Sequence, residues 1–193
     1  YACERIPEIF EEVFEMYPDL AFEFLKKFIG ETNATTSGLI DDYLADVCSK
    51  LNKSQKLWLI DEMTVNAGCR QIVEHVVGED VEVFQRLLSN PELKSLHVVP
   101  LGNLNTTSWP LLAITALDSG IEAKLVAQSA LRLPMLWRGN ESDIHKERIR
   151  QLTTLEHNDH KGLREVIKLL LKWENAAVIE CLESERREAV FGL

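Results

Sequence analysis

Much of what usually identifies a chemistry is missing from this 193-residue chain. Its four cysteines, Cys3, Cys48, Cys69 and Cys181, form no C-x-x-C pair, so their spacing indicates neither a zinc knuckle nor a thioredoxin-type motif. Both glycine-rich phosphate loops, G-x-x-x-x-G-K and G-x-G-x-x-G, are absent. There is no G-x-S-x-G nucleophile elbow. No apolar run approaches the ~18 residues of a membrane-spanning helix. The first residues, YACERIPEIF, are too charged for a signal peptide. No segment alternates with the period of two that marks a half-buried strand. A basic excess is lacking too. Acidic residues number 31 against 21 basic ones, for a formal charge of −10, a field that repels phosphate backbones and anionic bilayers. Neither a nucleic-acid partner, nor membrane insertion, nor a cofactor is therefore expected.

What the chain has is apolar residues at helical spacing. They make up 46% of it, enough to build a core. Ile6, Ile9, Phe10, Val13 and Tyr17 form one stripe, with Glu8, Glu11, Glu12 and Glu15 on its outer face. Pro18 suits the start of a second helix that Gly30 ends. Continuing in this way predicts about eleven helices, the last two following His160/Gly162 and covering about 176 to 190. His97-Val98-Val99 is the only candidate for a short extended piece. Charge is uneven along the chain. Residues 1–96 hold 18 acids and 9 bases, and residues 97–193 hold 13 and 12. A single helical domain over 1–193 is expected, with an acidic and a near-neutral sub-block. Because the chain opens on Tyr1 and closes directly after a helical pattern, it reads as a piece of a larger protein.

Gly38, Gly78, Gly120 and Gly162 recur at intervals of 40, 42 and 42 residues, each opening an apolar run. Such an interval is the mark of stacked helical units, which bury their apolar faces only against one another. The segment GLREVIKLLLKWENAA resembles the second helix of an ankyrin repeat, and WPLLAITALDSGIEAKLV resembles a first helix with its turn. Trp109-Pro110-Leu111-Leu112 stands where that family has T-P-L-H, and the interval exceeds its 33 residues. A HEAT- or armadillo-like array suits the spacing equally. The expected fold is all-α, an array of antiparallel helical hairpins, with an irregular helical bundle as the alternative. The resemblance implies a non-catalytic module that holds a protein partner on an extended surface.

Two constellations are candidates for binding. Lys161, Arg164, Lys168 and Lys172 step by three, four and four along one predicted helix. They are opposite Leu163, Val166, Ile167, Leu170 and Leu171, and Lys146, Arg148 and Arg150 crowd the helix before. A single-sign stripe of this kind can steer an acidic segment of a protein partner. The cluster Glu156-His157-Asn158-Asp159-His160 contains the metal candidates, His157 and His160, but Asn158 or Asp159 is also placed to cap the next helix. Unpaired cysteines suggest a reducing, cytoplasmic setting. Four N-x-S/T sequons, at Asn33, Asn52, Asn105 and Asn140, motivate a glycosylated luminal or extracellular domain instead. The other origin for them is helix capping by Thr35, Ser54, Thr107 and Ser142. A regulatory or catalytic helical domain of another type remains a second alternative.

Overall fold

The computed structural model describes residues 16–30, 47–48, 50–63, 67–102, 104, 106–131 and 140–191. It is all-helical, with no strand among the described residues. Eight α-helices are described: α1 (Pro18–Gly30), α2 (Lys53–Glu62), α3 (Ala67–Val77), α4 (Val81–Ser89), α5 (Trp109–Asp118), α6 (Ala123–Ala130), α7 (Glu141–Thr154) and α8 (Lys161–Phe191). Two 3-10 turns, Lys94–Val98 and Pro100–Gly102, lie between α4 and α5. The first of them occupies the stretch expected to be extended. The predicted helix before Pro18, most of the one after Gly38, Asn33 and Asn105 all lie outside the described residues.

The chain divides into two compact units, Tyr1–Pro100 and Leu101–Leu193. The division falls four residues after the change in charge seen in the sequence. In unit 1, α2 packs on α3 and α4, α1 meets α2 and α3, and α4 meets the first 3-10 turn. Phe84, Leu87, Ile72, Val76, Leu59 and Ile60 are fully buried there. In unit 2, α8 packs against α7, α6 and α5. Trp109 is fully buried and donates its indole N–H to the carbonyl of Leu101 at 3.1 Å, which satisfies the one polar atom such a ring takes into a core.

Ser108 holds the N-cap position of α5 with Pro110 behind it, Thr35 lies outside the described residues, and α2 and α7 begin on residues other than the serines expected. Asn52 caps α2 in a reciprocal box: its Oδ1 accepts from the Gln55 backbone N–H, and Gln55 Oε1 accepts from the Asn52 N–H, both at 3.0 Å. Ser54 is already inside the helix. Asp80 caps α4 by accepting from the N–H groups of Glu82 and Val83. Asn140, not Ser142, is at the N-cap position of α7, and Ser142 is buried. Gly38 lies outside the described residues, and of the other three recurrent glycines two punctuate in the same way. Gly78 and Gly120 end helices with φ of +52° and +81°. At Gly120 the bonds Gly120 N–H to Leu117 O and Ile121 N–H to Ala116 O complete a Schellman motif. Gly162 is instead the second residue of α8, and a Cβ there would come within 3.2 Å of Leu117 Cδ1 and His160 Cε1. Its role is close approach rather than a turn.

The two helices expected at the C-terminal end are one helix of 31 residues. No proline or glycine occurs between Leu163 and Phe191. The polar residue at the expected break, Asn175, bonds back within the helix through Nδ2 to Leu171 O at 2.6 Å. The break had no physical cause.

Candidate functional site

The basic stripe lies on the first half of α8, and the structure sorts its members. Lys161, Lys168 and Lys172 are exposed and make no ion pair among the described residues. Arg164 is half-buried and tied down. Its Nη1 donates to the carbonyls of Asn158 and Asp159 at 2.7 and 2.9 Å, clamping the turn that enters the helix. Exposed Glu165 stands between Lys161 and Lys168 at four- and three-residue spacing, so an acid interrupts the face. The neighbouring cations on α7 do not add to it. Lys146 pairs with Asp143 at 2.8 Å, Arg150 pairs with Glu147, and Arg148 is buried.

His160 is the true cap of α8. Its Nδ1 accepts from the Leu163 backbone N–H at 3.1 Å. That places the ring proton on Nε2, which faces Asp118 Oδ1 at 3.2 Å. Asn158 assists one step earlier by accepting from the His160 N–H at 2.9 Å. Both ring nitrogens of His160 are thus engaged, and His157 is exposed beside it.

The densest chemistry is elsewhere in unit 2, between α7 and α8. Glu174 is 1% exposed, Arg148 4% and His145 7%. His145 Nδ1 lies 2.5 Å from Glu174 Oε2. A carboxylate only accepts, so Nδ1 carries the proton and, in the neutral ring, Nε2 presents the lone pair. Arg148 Nη1 approaches Glu174 Oε1 at 3.0 Å. The contact is within ion-pair distance but off the hydrogen-bond axis, since neither atom makes a directed bond. Arg148 Nη2 donates to the carbonyl of Ala130, at the end of α6. Burial draws the Arg148 guanidinium below its ordinary range, and the Glu174 carboxylate opposes that.

Further along the same interface, Ser142 gives its Oγ–H to Glu185 Oε2 at 3.2 Å, and its backbone N–H lies 3.4 Å from Glu185 Oε1. Glu141, His145 and Cys181 each offer a ligand-type atom, all within 4.8 Å of one another. Neither His145 nor Glu174 stands out in the sequence by motif, because 29 residues separate them. One signal was available. The buried stripe of α8 runs Leu163, Val166, Ile167, Leu170, and the next position in that series is Glu174. A carboxylate on an apolar face implies a buried partner.

Unit 1 has its own surface feature. Phe22 and Trp58 meet edge to face at 5.3 Å, with the Lys26 ammonium 5.0 and 5.8 Å from the two ring centres. No helix among the described residues is long and apolar enough to cross a membrane. No protein-family model matches the chain, and no curated protein or solved structure shows significant similarity to it.

Proposed function

We propose that the chain is a non-catalytic protein-interaction module built of helical hairpins, ankyrin-like or HEAT/armadillo-like. On this reading α8 presents Lys161, Lys168 and Lys172 to an acidic segment of a partner. The observation that carries it is the pairing pattern. The exposed cations Lys146, Arg150 and Arg187 each form an ion pair with an acid of their own helix, whereas none of the three lysines of α8 does so among the described residues, Glu165 standing near Lys161 and Lys168 without pairing. Exposed cations outside an ion pair can act on a charge that arrives from outside. Arg164 supports that face by fixing the turn before it and is not itself a contact. The hairpin reading is supported by the order of contacts. Ser142, early in α7, meets Glu185, late in α8, while Arg148 meets the earlier Glu174. Free thiols at Cys48 and Cys181 support a reducing, cytoplasmic setting.

The test is binding of a fluorescent Glu-rich peptide to the full chain and to Lys161→Glu/Lys168→Glu/Lys172→Glu. The triple variant should bind at least about tenfold more weakly at low salt, with the gap narrowing as salt screens the charges. Its melting temperature should stay within a few degrees of wild type, because exposed charges contribute little to folding. Equal affinity of the two proteins at low salt would reduce the stripe to a solvated helix face.

A further inference from the structure

We propose that Glu141, His145 and Cys181 form a binding site for one divalent transition-metal ion of the zinc class. The site is built on two helices rather than on a loop. Glu141 and His145 are four residues apart on α7, the spacing that puts two side chains on one face one turn apart. Cys181 comes from α8, the helix most extensively packed on α7. Their ligand atoms lie within 4.8 Å of one another. A tetrahedral ion with bonds of about 2.0–2.3 Å holds its ligands roughly 3.3–3.7 Å apart. Closure therefore needs side-chain movements of about an ångström, without displacement of a helix.

The donor set is thiolate, imidazole and carboxylate, which suits a borderline ion and not calcium or magnesium. What distinguishes the cluster from a chance meeting of polar side chains is the support behind it. His145 is buried, and its Nδ1 is already held at 2.5 Å by Glu174. A carboxylate behind a histidine fixes the tautomer and leaves Nε2 with the lone pair, the arrangement that metal-ligating histidines use. Arg148 in turn balances the Glu174 charge.

One thiolate and one carboxylate neutralise a divalent ion, and the Glu174–Arg148 pair behind them is neutral. Without the ion, partial burial and the carboxylates of Glu141, Glu185 and Glu180 push the Cys181 thiol above its ordinary range. An ion reverses that by taking the thiolate directly, with release of its proton. Glu141 is exposed, so the fourth position opens to solvent and takes water. The consequence is a clip between the start of α7 and the later part of α8.

Cobalt(II) reports all three elements of the site. The metal-free chain titrated with Co²⁺ should bind one equivalent. It should show the visible bands of a four-coordinate ion together with a near-ultraviolet thiolate-to-metal charge-transfer band. Zn²⁺ should displace the cobalt and raise the melting temperature. Cys181→Ser should lose the charge-transfer band. Glu141→Gln, an exposed change that does not threaten the fold, should weaken Zn²⁺ binding by at least about tenfold while keeping that band. His157→Ala should change neither. Binding that lacks the charge-transfer band would overturn the assignment. So would binding that survives Cys181→Ser and Glu141→Gln unchanged, or a melting temperature that Zn²⁺ does not move.

Discussion

Unit 1 carries 18 acidic and 9 basic residues and unit 2 carries 13 and 12, yet it is the near-neutral unit that takes charge into its interior. Among the described residues, every buried polar or charged side chain belongs to unit 2: Ser108, Ser129, Ser142, His145, Arg148 and Glu174. The described core of unit 1 is apolar throughout, and its ion pairs Asp61–Arg86 and Lys53–Glu82 stay at the surface. The net charge of a segment therefore says little about where its electrostatic free energy is concentrated. An exposed pair is held in water and screened by salt. A buried pair has lost its hydration and depends on its partners, so breaking it is far costlier than forming it was gainful.

The largest effect expected from this contrast is at Glu174. Glu174→Ala leaves Arg148 buried without its counter-charge, and we expect a loss of about 3–5 kcal/mol of unfolding free energy, read by urea denaturation. Replacing all three members, His145→Leu/Arg148→Met/Glu174→Leu, should recover most of it, since no charge is then stranded. The ions serve alignment. The apolar stripe of α8 continues through Val178 and Leu182, so apolar contact alone tolerates a slide of one turn along α7, while Glu174 meets both Arg148 and His145 in a single register. The triple variant should accordingly keep its helix content but lose near-ultraviolet dichroism from fixed packing. A loss below about 1 kcal/mol in Glu174→Ala would show that the cluster is solvated and that the two units do not differ in kind.

A second expectation turns on the buried titratable group described in unit 1, Cys48. Burial pushes its thiol up from 9.0 to about 12, with Lys56 opposing. The folded chain thus keeps this proton to higher pH than the unfolded chain does. Between about pH 9 and about pH 12 the unfolded state binds fewer protons, so stability falls as pH rises, by at most about 1.4 kcal/mol per pH unit from this group. Denaturation midpoints at about pH 8 and about pH 10 should separate further in wild type than in Cys48→Ala. Equal separations would mean that Cys48 ionises freely in the folded state.

The smallest effect should come from the surface pair of unit 1. Arg86 Nε lies 2.6 Å and Nη2 2.9 Å from the two carboxylate oxygens of Asp61. This contact holds the Asp61 carboxyl below its usual range. A lowered carboxyl contributes stability above its unfolded pKa and loses it as pH falls through the folded value, here on the acid side. Because the pair is exposed, Asp61→Asn should leave the thermal midpoint at neutral pH within about two degrees of wild type. A larger drop would place a working ion pair in unit 1 and erase the contrast.

The legibility of the molecule follows the range of its interactions. Pro18, Gly30, Gly78 and Gly120 mark helix boundaries in the sequence and in the structure, because backbone constraints act within a few residues. Capping is local as well, but several donors and acceptors compete within one turn. The sequence singled out Ser54 where Asn52 caps, and Asn158 or Asp159 where His160 does. The expected break near residue 175 reflected polarity alone, and polarity without proline or glycine does not end a helix. The polar cluster joins residues 145, 148 and 174, whose meeting depends on how α7 and α8 pack. Seen singly, Arg148 reads as one more surface cation and Glu174 as one more surface acid.

The 31-residue helix α8 also has a kinetic side. It extends about 46 Å but is not uniformly anchored. Its fully buried residues, Leu163, Val166, Ile167, Leu170 and Glu174, all fall in its first half, and from Asn175 onward no described side chain is fully buried. One continuous hydrogen-bonded ladder therefore spans two regimes of local opening. Beyond the first turn, amide protons up to about residue 174 should exchange with solvent mainly when unit 2 unfolds, whereas those further on should exchange through progressive fraying from the C-terminal end. Glu174, the last fully buried residue described in the helix, is where the exchange rate is expected to change.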